Sequence, residues 1–100
     1  GLLMYYPPYF TPTRMRDMLT RIKKIREFCG YSQKEVADRL GITQTTYSRL
    51  ENGHTQLDFA RLEQIAGLYG LSQVDIMTKQ LLELIKLLVD HPEFKNKWKE

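Results

Sequence analysis

The chain has 100 residues, 42% of them hydrophobic, a formal net charge of +3 and a single cysteine. That length suits one domain with one core. No apolar run approaches the roughly 18 residues of a membrane span, and one cysteine excludes an internal disulfide and fits a reducing compartment. The expected location is cytoplasmic.

The opening glycine in place of methionine reads as the remnant of a cleaved tag, with the native start at Met4 or further back, and nothing there resembles a signal peptide. The charge is unevenly placed. Between Arg14 and Glu27, six basic residues (Arg14, Arg16, Arg21, Lys23, Lys24, Arg26) face two acids, Asp17 and Glu27, a local +4 that exceeds the total of the whole chain. Such a segment suits a polyanionic partner, and equally a solvated helix face. Cys29 reads as a small apolar residue at a helix end.

Residues 1–13 carry three prolines and no charge. Because proline is excluded from helix interiors and keeps its predecessor extended, they read as an arm, with Tyr5, Tyr6, Tyr9 and Phe10 available to pack on the domain or on a second subunit. The first helix is expected from about Thr13 to Cys29, with Met15, Met18, Leu19, Ile22, Ile25 and Phe28 or Cys29 at three- and four-residue steps. Gly30 stops it. Ser32-Gln-Lys-Glu35 is a capping box that opens a second helix, whose inner face is Val36, Ala37 and Leu40 and whose end is Gly41. A third starts with Thr43 as cap, turns Tyr47 and Leu50 inward and ends at Asn52-Gly53. A fourth starts at Asp58, with Phe59, Leu62, Ile65, Ala66 and Tyr69 at helical spacing, and Gly70 closes it. A fifth opens with the Ser72–Asp75 box, runs through Val74, Ile76 and Met77, and is expected to continue helically from Lys79 to His91 until Pro92 stops it. No β-periodic segment and no internal repeat is present, so the fold class is all-α.

The second and third helices have the spacing of a helix-turn-helix, whose second helix can lie in the major groove. Three positions meet the demands of that geometry. Ala37 is small where the helices cross, Gly41 tolerates left-handed φ in the turn, and Ile42 is apolar where the next side chain must point inward. The run Ser32-Gln33, Glu35-Val36-Ala37, Leu40-Gly41-Ile42 and Ser48-Arg49-Leu50-Glu51-Asn52-Gly53 resembles the lambda-repressor-like, Cro/repressor-type (XRE) family of bacterial and phage regulators, and the resemblance spans residues 21–77. Tyr47 stands where that family more often has an aliphatic residue.

The resemblance implies a five-helix DNA-binding domain, placed at residues 14–78, and the apolar pattern beyond it adds a C-terminal helix in residues 79–100. It further implies that Gln44, Thr45, Thr46, Ser48 and Arg49 read base edges in double-stranded DNA, and that Gln33 binds phosphate while buttressing Gln44. The chemistry of the residues agrees: Gln pairs bidentately with adenine, Arg with guanine, and Thr methyls meet thymine methyls. Lys34, Asn52, His54 and Thr55 are candidate phosphate contacts, as are Lys23 and Arg26 on the first helix. Glu51 is expected to pair within the fold, because phosphates repel a carboxylate.

Seven of the nine residues from Leu81 to Val89 are apolar, with Glu83, Lys86 and Asp90 as a narrow polar stripe. A helix apolar around most of its circumference needs cover on more than one side. Leu81, Leu84, Ile85 and Leu88 are therefore the expected dimer or partner interface, and a symmetric dimer would present two reading helices about one DNA turn apart, near ~34 Å. Residues 93–100 read as a short amphipathic helix or a frayed end.

The leading expectation is a sequence-specific transcription regulator, a repressor acting as a homodimer. The alternative is a protein-interaction module, such as an antitoxin or a partner-controlled regulator that grips its partner with the C-terminal helix. No separate ligand-sensing domain is expected within this length. His54, His91 and Cys29 form no metal-ligand spacing or nucleophile–base pair, so no enzyme, metal or cofactor is expected, and no membrane partner.

Overall fold

The computed structural model describes residues 11–92, which contain six helices and no strand. These are α1 (Pro12–Phe28), α2 (Gln33–Leu40), α3 (Gln44–Glu51), α4 (Phe59–Leu68), α5 (Gln73–Thr78) and α6 (Leu81–Asp90). The readings made for Tyr5 to Phe10 and for residues 93–100 lie outside the described residues.

Helix α1 starts earlier than its apolar pattern suggests. Thr11 is its cap, accepting from the Arg14 amide at 3.2 Å, and Pro12 is its first residue. Proline suits that position because it has no N–H to leave unsatisfied and its φ is already helical. Pro12 and Thr13 thus belong to the helix and not to the arm. Met18, Ile22, Ile25 and Cys29 form the buried stripe of α1.

Each of the next helices begins at the polar residue the sequence offers. Ser32 Oγ accepts from the Glu35 amide and Glu35 Oε1 accepts from the Ser32 amide, at 3.0 and 2.9 Å. The Ser72–Asp75 pair closes the same reciprocal box for α5. Asp58 caps α4 through the Arg61 amide at 2.8 Å. Between α2 and α3, Gly41 sits at φ +72° with nothing within 4 Å of where a Cβ would stand, so its backbone conformation alone calls for glycine. Ala37 is fully buried beneath α3, and Ile42 is half-buried against the core. Tyr47, Leu50, Leu62, Ile65, Ala66 and Tyr69 complete the centre. Phe59, at the first turn of α4, is 37% exposed and so lies outside the core its spacing suggested.

The continuous helix expected from Ser72 to His91 is instead two. Lys79 and Gln80 are extended, with ψ of 149° and 159°, and α6 begins afresh with Glu83 accepting from the Gln80 amide at 3.3 Å. The physical cause is Arg21 of α1. Its guanidinium donates to the Ile76 carbonyl at 2.7 and 3.2 Å and to that of Met77 at 3.5 Å, capping the end of α5 from outside. This contact releases α6 to cross back over α1. Leu84 and Leu88 are fully buried there, and Leu81 packs on the same core. The expectation that these residues meet another molecule is therefore corrected for Leu84 and Leu88, which are core residues of this chain, while Leu81 is partly buried against that core. Ile85 is half-buried, and the side chains left outside are Leu82 (65% exposed), Leu87 and Val89.

The far end of α6 is fixed at His91, whose imidazole lies against Gly70, in the space a Cβ there would take. Gly70 also has φ +69°. Both Gly41→Ala and Gly70→Ala incur the left-handed penalty of ~1–2 kcal/mol, but only the second must also displace His91. Denaturant melts should show the larger loss for Gly70→Ala, and a His91→Ala background should remove the difference.

Candidate nucleic-acid interface

Helix α3 has only eight residues, too few to be stable alone, so its placement is a product of what it packs on. Its back is Tyr47, Leu50 and Glu51, all buried. Its front is exposed: Gln44, Thr45, Thr46 and Arg49 face outward, and Ser48 is half-exposed. Thr43 Oγ1 accepts from the Thr46 amide at 3.1 Å, and its hydroxyl pairs with that of Thr46 at 2.8 Å. The positions named as base readers are thus brought together on one outward row.

The back of α3 is held by one carboxylate. Glu51, 5% exposed, accepts from Arg26 Nε and Nη2 of α1, each at 2.9 Å, from the Tyr47 hydroxyl at 2.6 Å, and from Gln33 Nε2 of α2 at 3.2 Å. Arg26 uses its remaining terminal nitrogen on the Tyr31 carbonyl at 2.9 Å. Burial alone would raise the Glu51 pKa, but the bonds from Arg26, Tyr47 and Gln33 together hold it below its ordinary value. The same hydrogen bonding to Glu51 raises that of Arg26. Burial first, and then the bond to Glu51, push the Tyr47 phenol far above its usual range.

This arrangement places Glu51 inside the fold as expected, and it corrects the reading of Arg26. With 8% exposure and three of its five N–H groups engaged by Glu51 and Tyr31, Arg26 is committed to the fold and is not presented to a phosphate. Gln33 is half-buried at the start of α2, and its amide is bonded to Glu51 and not to Gln44. One Gln33 N–H is used in that bond, and the second remains for an outside acceptor. Lys34 is exposed and paired with Asp38 at 2.9 Å. Lys23, Asn52, His54 and Thr55 are exposed, and Asn52 Nδ2 donates to Ser48 Oγ at 3.2 Å.

Two contacts had no signal in the sequence pattern. One is Arg21 at the end of α5, described above. The other is at the exit of α3, where Arg49 Nε donates to Thr55 Oγ1 at 3.1 Å. Among the described residues no group of His, Cys, Asp and Glu could hold a metal ion, and no helix is long and apolar enough to cross a membrane. A cleft of about 470 Å³ lies between Arg14, Asp17 and Arg21 of α1 and residues 77–80, and shares no residue with α2 or α3.

A short helix pinned by its back across a glycine turn, with a row of small polar side chains and an arginine on its front, defines a helix-turn-helix DNA-binding domain. The chain belongs to the XRE-type helix-turn-helix family, whose profile matches residues 22–74. It is 40% identical over 52 residues to an uncharacterized HTH-type transcriptional regulator, YonR, derived from the SPbeta prophage of Bacillus subtilis (strain 168), a match covering 52% of this chain and 48% of that protein. It is 29% identical over 84 residues to the HTH-type transcriptional regulator ImmR of the same organism, covering 70% of this chain and 66% of the relative. The chain therefore spans about half to two-thirds of the length of these relatives. No solved structure gives a significant match.

The carboxylate cluster sets an acid limit to stability. Because the folded pKa of Glu51 is lowered, its contribution is complete above the unfolded value of about 4.3 and is lost as pH falls from there through the folded value. Glu51→Gln leaves Arg26 buried without its anion and should cost ~3–5 kcal/mol at pH 7. Denaturation midpoints followed from pH 7 to pH 2.5 should fall less steeply in the variant, retaining the part of the slope that comes from Asp75, whose pKa is also lowered.

Proposed function

We propose that this chain is a sequence-specific, DNA-binding transcriptional regulator that acts as a repressor and binds as a homodimer. The observation that carries the reading is the outward row Gln44, Thr45, Thr46 and Arg49 on a helix whose other face is locked to α1 and α2. Gln44 and Arg49 bring bidentate chemistry for adenine and guanine, and the threonines bring methyls for thymine. Ser48 completes the row. Gln33, Lys34, Asn52, His54 and Lys23 supply phosphate contacts that set register. The relatives are named transcriptional regulators, in line with this use. Repression needs no surface beyond these, since an occupied operator excludes competing proteins. In a cytoplasmic setting the partner is double-stranded DNA, and nothing in the reading calls for a cofactor or catalysis.

The dimer contact proposed here is the outer face of α6. Leu82, Ile85 and Val89 lie within one stripe of that helix, next to its buried side, and two of the three are exposed. A two-fold contact is self-complementary, so each residue meets its counterpart's surroundings. An antiparallel pairing of two α6 helices places Leu82 of one copy opposite Val89 of the other. The two-fold symmetry of such a pair is that of a palindromic operator.

Selection of bound DNA from random duplexes should return a sequence with two-fold symmetry, and Arg49→Ala should relax one base position per half-site at a cost of about 1–3 kcal/mol. An unchanged selected sequence would remove Arg49 from the base readers. In sedimentation, Leu82→Glu should yield monomers that stay folded and lose affinity for a full operator far more than for one half-site. A wild-type chain that stays monomeric at operator-saturating concentrations would instead assign the stripe to a different protein, as in an antitoxin-like module.

A further inference from the structure

The exit from α3 is built as a closed loop around one residue. With Asn52 as the cap and Gly53 at φ +78°, the His54 amide donates to the Arg49 carbonyl at 2.8 Å and the Gly53 amide to that of Leu50 at 3.2 Å. This is the paired bonding of a Schellman turn, and it reverses the chain tightly. The reversal continues one residue further: the Thr55 amide also donates to the Arg49 carbonyl, at 3.2 Å. Thr55 is thereby fixed by its own backbone beside Arg49, and its hydroxyl oxygen accepts from Arg49 Nε at 3.1 Å. One residue thus holds both the carbonyl and the side chain of Arg49.

That contact has a chemical consequence. A guanidinium offers one Nε edge and a terminal fork of two nitrogens, and it is the fork that pairs with the O6 and N7 of guanine. A bond to Nε restrains the group and leaves the two terminal nitrogens of the exposed side chain unused by that contact. Arg49 is exposed, and an unrestrained exposed arginine samples many rotamers, so holding it before DNA arrives removes part of the ordering cost of binding.

We infer that Thr55 is a positioning residue for base recognition, which orients Arg49 through its Nε, and not chiefly a phosphate contact. The inference rests on Arg49 reading a base, as proposed above, and it assigns to Thr55 a role different from the backbone contact its sequence position suggests.

The test compares the wild type with Thr55→Val, Thr55→Ser, Arg49→Ala and the Arg49→Ala/Thr55→Val double variant. Each is titrated against the selected operator and against duplexes changed at single positions, over a range of salt. Thr55→Val keeps shape and removes the hydroxyl. It should lower discrimination roughly three- to tenfold at the one position that Arg49→Ala relaxes, leaving other positions and the slope of affinity against salt unchanged. Thr55→Ser should behave as wild type, and Thr55→Val should have no further effect once Arg49 is alanine. A uniform loss across all duplexes would overturn the inference and make Thr55 a phosphate contact, because an uncharged hydroxyl on a phosphate adds affinity without reading sequence. Unchanged discrimination in Thr55→Val, beside a clear effect of Arg49→Ala, would also overturn it while leaving base reading by Arg49 intact. If Arg49→Ala itself relaxes no position, base reading by Arg49 falls and the role of Thr55 falls with it.

Discussion

The buried carboxylate of Glu51 is the contact on which the reading surface depends. It takes hydrogen bonds from α1 through Arg26, from α2 through Gln33 and from one turn back in α3 through Tyr47. A buried ion pair is weak evidence for net stability, because desolvation offsets most of the attraction. Its effect here is directional. Apolar packing of Tyr47 and Leu50 would tolerate small rotations of α3 about its axis, whereas a carboxylate fixed from three elements does not. The rotation of α3 decides which side chains face outward, so a core ion pair governs the composition of the surface.

This division also explains why the front of α3 can consist of exposed polar residues that add nothing to the core. Thr45, Thr46 and Ser48 are mediocre choices for holding an eight-residue helix together, the two consecutive threonines being β-branched. The back of the helix and the Thr43 cap compensate. The front then keeps solvent-facing polar groups, Gln44 and the terminal nitrogens of Arg49 foremost, that can be used on base edges.

The sequence revealed what is local and hid what is distant. The starts of α2 to α5 were legible, because a capping box or a Thr or Asp cap is a short-range hydrogen bond between residues three apart. The turn at Gly41 and the inward faces of α1 to α3 were legible for the same reason. Glu51 was half legible: repulsion from phosphate argued that it turns inward, but its partner lies 25 residues away, and no periodicity points to Arg26 among six basic neighbours. Arg21 was hidden likewise, 55 residues from the carbonyl it caps, and with it the break between α5 and α6. Once that break is made, α6 folds over α1. This is why Leu84 and Leu88, which a free amphipathic helix would offer to a partner, lie in the core.

The two hidden arginines change the electrostatic argument as well. The basic run on α1 was attractive as a footprint for a polyanion, yet Arg21 and Arg26 are bound to the fold's own carbonyls and carboxylate. Lys24 leans toward Glu27 at 3.9 Å, and on α2 Lys34 is tied to Asp38. Few cations near α3 are then left without an acidic neighbour, so counterion release should contribute modestly to binding and non-specific affinity should be low. For such a domain, discrimination must come from the geometry of the few groups that reach the bases. That requirement gives physical sense to a fold in which a carboxylate fixes the helix from behind and a turn fixes the arginine at its end.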